Sequence, residues 1–262
     1  MSKREHAVHC HETRASTNGK CALASLCSAA NNRLVMLKTA FALLASAAVS
    51  VAAAKKPAAA PTKKPVAKTY DDDGDSTPAQ LGAQATLNDS DLADFSTLKP
   101  IAQKFVKAAL HLTKCQLTYK FGSSDPKNGG MDCSGTIHFL LRYMGLKDPP
   151  RDASSIYLWA QAHGTLRELR TSDMDDPRFR DLRAGDLLFW EGTYDVGRNP
   201  PISHVMVYLG REKTSRAPVM AGASDGRKYR GIKRNGVSVF DFVLPKPGSR
   251  AVFVGYARVP GL

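Results

Sequence analysis

The sequence predicts an α+β fold for residues 98–262, with N-terminal helices packed on a small antiparallel β-sheet or open barrel, because its apolar period changes once and in one direction. In the first half the apolar residues recur at helical spacing, in the second they form short strand-like runs, and glycines punctuate both. Ile101, Phe105, Ala108, Ala109 and Leu112 give an amphipathic helix over 99–113. A loop of turn formers, 122–130, follows, and then Ile137, Leu140, Leu141 and Met144 stand at i, i+3, i+4 and i+7 of a second helix that Gly145 is placed to close. Residues 154–163 read as a third, shorter helix. The strand patterns fall at 186–190, 202–209, 219–223, 237–243 and 251–259.

The residues ahead of position 98 have a different character. Charge is unevenly spread there: residues 1–35 carry +3, the run 55–68 carries five lysines and no acid, and residues 70–94 turn acidic. Residues 1–35 are polar and patternless, and read as an upstream extension that is not native. From Met36 the order is a lysine, an uncharged apolar stretch from Thr39 to Val51, and Ala52-Ala53-Ala54, which is the order of a signal peptide over 36–54. The apolar stretch is short for a membrane span, which needs about 20 residues. Residues 55–97 are Lys/Pro/Ala-rich and then acidic, and read as a disordered linker whose lysines suit an anionic envelope surface. The expected location is periplasmic or secreted, with no transmembrane span in a mature chain that begins near Lys55.

Chemistry concentrates at Cys133. A thiol attacks as the thiolate, and a free cysteine titrates near 8.5. Cys133 stands where the second helical pattern begins, so unpaired helix N–H groups favour its charge and its own amide is a ready oxyanion donor. The base such a thiol needs is His204, on a core strand 71 residues later. A histidine alone on an apolar strand is more often a satisfied core residue; paired with a helix-start cysteine, it reads as catalytic. Cys115 reads as a buried structural thiol, and His138, five residues past Cys133, is turned away from it. No metal-ligand spacing and no phosphate-binding glycine pattern occurs, so neither metal nor cofactor is expected.

Four segments in order, Tyr119-Lys-Phe-Gly122, Gly130-Met-Asp-Cys-Ser-Gly135, Ala184-Gly-Asp-Leu-Leu-Phe189 and His204-Val-Met-Val-Tyr-Leu-Gly210, resemble the NlpC/P60 family over the whole folded domain. The resemblance implies a papain-like fold and a cysteine peptidase that cuts peptidoglycan stem peptides, typically between D-glutamate and a diamino acid. It implies Cys133 as nucleophile, His204 as base, Asp132 and Ser134 as receivers of the substrate's N-terminal side, and Tyr119 beside the cleft. No nucleic-acid partner is implied, and the expected state is a monomer.

One position departs from that pattern. The family orients its histidine with a polar residue, often His, on the following strand, and here that place falls on Ala221 or Gly222. Asp225, a few residues on, is the side-chain candidate for the orienting role; a backbone carbonyl is the alternative. The basic run Arg227, Lys228, Arg230, Lys233 and Arg234 reads as a solvated loop, with contact to substrate carboxylates as its functional alternative. Two other readings stand beside the peptidase: an amidase or acyltransferase on the same fold, and a catalytically weak wall-binding module.

Overall fold

The computed structural model describes residues 82–262; the upstream extension, the signal peptide and most of the linker lie outside the described residues. Helix α1 (Pro100–Thr113) begins with proline at its first turn, where a missing N–H costs nothing, and buries Phe105, Val106, Ala109 and Leu112. Helix α2 (Cys133–Tyr143) buries Ile137, Leu140 and Leu141. Helix α3 (Ala153–Ala162) is capped by Asp152, whose carboxylate accepts the Ser155 N–H. Between α1 and α2, the short strands β1 (Thr118–Tyr119) and β2 (Gly130–Met131) pair in parallel and fasten the glycine-rich loop at both ends.

The sheet proper comprises β3 (Leu166–Glu168), β4 (Leu187–Glu191), β5 (Ile202–Arg211), β6 (Pro218–Ser224), β9 (Gly236–Asp241) and β10 (Val252–Ala257). Its order is β3-β10-β4-β5-β6-β9, and every neighbouring pair is antiparallel. A small ribbon, β7 (Lys228–Tyr229) and β8 (Ile232–Lys233), lies in the β6–β9 connection. The architecture is thus mixed α+β, helices plus an antiparallel sheet. Alternation along β5 sends Val205, Val207 and Leu209 into the helix-side core. Met206 and Tyr208 join Leu188, Trp190, Met220, Phe240, Phe242 and Phe253 on the other face, where Phe179 covers them. Among the described residues no helix is long and apolar enough to cross a membrane.

Two expectations need correction. The packed unit starts well before position 98: Leu87 and Leu92 are buried in the helix-side core, each contributing about 2 kcal/mol. Gly82 bridges Arg234, Leu92 bridges Glu212, and Ala85 exchanges hydrogen bonds with Ser238 Oγ (2.8 Å) and the Val239 N–H (2.9 Å). The segment from 82 on therefore runs as a strap past the edge of β9 at Ala85 and on to the β5–β6 connection at Leu92. Its polar composition hid it, because only two leucines anchor it. Cys115 is buried as expected but is disulfide-bonded, not a free thiol; Cys133 is the free cysteine among the described residues.

Candidate active site

The site grows from the first turn of α2. Asp132 is its N-cap, and the Asp132 carboxylate accepts the Gly135 N–H at 2.6 Å. Cys133 follows at the first helical position, where the amide has no intrahelical acceptor. The helix enters here because Asp132 N donates to Ser123 O (3.0 Å) and Ser123 Oγ donates to Gly130 O (2.7 Å), so the loop is folded under the cap.

The Asp132 carboxylate is saturated. Besides Gly135 it accepts Gly122 N–H (2.7 Å), Ser134 Oγ (3.2 Å) and a two-pronged guanidinium, Arg151 Nη1 on Oδ1 (3.1 Å) and Nη2 on Oδ2 (2.8 Å). A carboxylate offers about four lone-pair sites, and all are engaged. Arg151 Nη1 also donates to Ser134 Oγ (3.1 Å), so Asp132, Ser134 and Arg151 form one buried-edge network. Arg151 was not legible as a site residue; its only signal is an arginine just before a helix N-cap, close to Pro149-Pro150.

Cys133 is buried, and its Sγ lies 4.0 Å from the carbonyl oxygen of Ser203, the residue before His204. At this point the β4–β5 register slips: Trp190 faces His204, whereas Glu191 faces Ile202, leaving Ser203 as an extra residue. Such a bulge bends a strand and re-aims the residue beside it. Ser203 is fixed there by Thr193, whose N–H reaches Ser203 Oγ at 3.0 Å and whose hydroxyl lies 2.7 Å from it. His204 is 7% exposed and stands beside its cross-strand partner Trp190, ring centroids 5.8 Å apart. The Arg227 guanidinium lies over the Trp190 ring at 4.3 Å. His204 Nε2 is buried and makes no hydrogen bond.

Burial dominates the ionisation of both groups. It pushes the Cys133 thiol up to about 12, with the Asp132 charge adding to it and hydrogen bonds from the Val205 and Ser134 backbone opposing. The expected helix-terminus stabilisation of the thiolate is thus outweighed by desolvation. Burial also holds the His204 imidazole well below its ordinary value, and the Arg227 charge acts in the same direction.

A cleft of ≈ 270 Å³ opens onto Cys133, lined also by Tyr119, Asp132, Ser134, Arg151, Tyr194 and Arg198. Four of the residues singled out in the sequence therefore share one cleft. The Tyr119 hydroxyl is pushed far up by burial, then by the Cys133 and Asp225 charges. Asp225 follows the last residue of β6 and is half-buried, with its charge felt at Tyr119. Tyr194 and Arg198, on the β4–β5 connection, form the facing wall, with Tyr194 edge-on to Phe121 at 6.1 Å. A larger cavity of ≈ 440 Å³, lined by the start of α1 and by Tyr208, Phe179 and Phe242, has neither cysteine nor histidine in its lining. Among the described residues no group of three His, Cys, Asp or Glu gathers to hold a metal ion.

Residues 116–232, from the end of α1 to β8, match the model of the NlpC/P60 family, whose members are cell-wall peptidases and hydrolases. A search of curated proteins finds no match.

Proposed function

We propose that this NlpC/P60 chain is an exported peptidoglycan endopeptidase that hydrolyses a stem-peptide amide, the D-glutamyl–diamino acid bond, through an acyl-enzyme on Cys133. The observation that carries the reading is a free cysteine at the first turn of a helix, on the floor of a cleft, with its sulfur against the backbone that bears His204. In this scheme His204 takes the thiol proton and the sulfur attacks the amide carbonyl. The Cys133 amide supports the resulting oxyanion, and the imidazolium returns the proton to the departing amine. Water then releases the acyl group and regenerates the thiol.

Asp132 is assigned two tasks. Its five hydrogen bonds set the helix start, and its charge, shared with Arg151, faces the substrate's N-terminal side together with Ser134 and Tyr119. Asp225 is assigned to the electrostatics of the imidazolium, on the strength of its place in the turn beyond β6. Incubating the purified protein with muropeptides and weighing the products tests the whole: the expected pair of masses corresponds to cleavage after D-glutamate. A product cut elsewhere in the stem would move the bond, and intact muropeptides would reject the peptidase reading in favour of the amidase or wall-binding ones.

Export rests on the lysine, apolar stretch and alanines between Met36 and Ala54. The lysine-rich segment 55–68 would then hold the monomeric enzyme near anionic envelope polymers. N-terminal sequencing of the native protein is expected to start near Lys55, and a cytosolic chain starting at Met1 would refute export.

A further inference from the structure

The imidazole of His204 sits in surroundings that the hydrolytic scheme does not explain. The strand position where an orienting polar residue would stand is Gly222, and a Cβ there would lie 2.7 Å from Met206 Sδ. Met206 therefore occupies that space, and no side chain can stand at Gly222. What the structure does set beside the ring is the Trp190 indole, 5.8 Å away in its cross-strand position, and the Arg227 guanidinium stacked on that indole at 4.3 Å. Indole and guanidinium are donors only, and the guanidinium stays charged at every attainable pH. Neither can accept a proton from Nε2, which is buried and makes no hydrogen bond.

An orienting residue of the ordinary kind accepts Nε2–H and so leaves Nδ1 free to take a proton. A donor-only wall favours the opposite tautomer, and a fixed cation nearby raises the cost of a second positive charge on the ring. We propose that Arg227 is a positioning residue that acts on His204 through Trp190 as a brake, holding Cys133 as a neutral thiol beside a neutral imidazole at rest. The inference rests on the Cys133–His204 reading and concerns how that pair is regulated.

Other charged groups near the pair have partners of their own or stay neutral. On α2, Asp132 is neutralised by Arg151. From the cleft wall, Arg198 stands 3.6 Å from Asp152. Tyr119 on β1 and Tyr194 are kept protonated by burial. Asp225, two residues before Arg227 in the same turn, is the one acid expected to oppose it. Burial and the Arg227 charge both lower the affinity of His204 for a proton, in keeping with the geometry.

The test needs no peptide. Alkylation of Cys133 by iodoacetamide follows the thiolate, and its rate between pH 5 and 10 is measured on the full chain, with Cys133→Ala as the blank for other cysteines. The wild type is expected to react slowly at pH 7, with its rate rising only in the alkaline range. Arg227→Gln is expected to move the midpoint acidward by at least about one unit and to raise the rate at pH 7 about tenfold. Arg227→Lys should keep the wild-type profile, and Asp225→Asn should slow the reaction at pH 7. If Arg227→Gln folds poorly by circular dichroism, Arg227→Met retains the apolar stem over Trp190 and serves instead. A wild-type thiolate already formed below pH 6, or a midpoint unmoved when the arginine charge is removed, would overturn the brake. Neither result depends on whether muropeptides are cut, so a failure here is separable from a failure of the peptidase reading.

Discussion

Cys133→Ala is expected to abolish muropeptide cleavage, lowering turnover by at least about four orders of magnitude, while the melting temperature stays within a few degrees of wild type. The sulfur is buried and its contact to Ser203 O is long, 4.0 Å, so its removal leaves a void no larger than one atom. The covalent route, however, vanishes outright. His204→Ala should give a comparable loss, because burial pushes the Cys133 thiol up to about 12 and the proposed scheme gives its proton to no other base. Truncating His204 also exposes one side of Trp190, so this variant is expected to lose somewhat more stability. Circular dichroism and product masses on the same samples check both halves of the statement. Residual turnover in Cys133→Ala above about one part in a thousand would remove the nucleophile assignment altogether.

Gly135→Ala is expected to cost both stability and turnover. On an ordinary exposed helix, alanine for glycine is favourable by about 1 kcal/mol. Here the added Cβ would fall 2.1 Å from the Ser123 carbonyl oxygen and 2.9 Å from Asp132 Oδ1. A backbone oxygen cannot swing aside, so the first turn of α2 must shift as a body. The overpacking cost, about 1–3 kcal/mol or more, exceeds the propensity gain. The same shift stretches the 2.6 Å bond from Gly135 N–H to the N-cap and displaces Cys133 relative to Ser203. A displacement of about 1 Å costs about a hundredfold in rate. Denaturant unfolding and steady-state kinetics should show both losses; a variant as stable and active as wild type would mean that the loop beneath α2 yields freely.

Much of this arrangement was legible in the chain itself, and the parts that were not share a physical reason. Helix α1 begins at Pro100 and ends at Thr113, close to its apolar period, because Phe105, Ala108, Ala109 and Leu112 repeat at buried positions, although Ile101 is exposed. Strands β4, β5, β6, β9 and β10 were visible as apolar runs, since a sheet buried on both faces writes itself in continuous hydrophobic residues. The strands β1, β2, β7 and β8 are two residues each, too short to carry any period. Cys133 and His204 could be picked out because their chemistry is rare and their settings are local. Arg151, Trp190 and Arg227 could not, because each acts across the fold: Arg151 on a helix cap 19 residues away, Trp190 through a strand register, Arg227 through a stacked ring. The basic loop read as solvated thus turns several residues onto the protein, Arg227 over Trp190, Arg230 onto Glu212 and Arg234 onto Ala83 O.

The strap from Gly82 to Leu92 has a consequence for how the domain can be handled and how it is tethered. Strand β9 is the outermost strand of the sheet, and such a strand is a template for any extended chain that meets it. Ala85 occupies part of that template from within the same molecule, flanked by the bridges of Gly82 to Arg234 and of Leu92 to Glu212. A fragment begun at position 98, where the apolar pattern starts, would uncover hydrogen-bonding groups along the sheet margin and the sockets of Leu87 and Leu92. Its copies would tend to zip edge to edge and precipitate, and the fault would resemble an unstable enzyme when it is a missing hem.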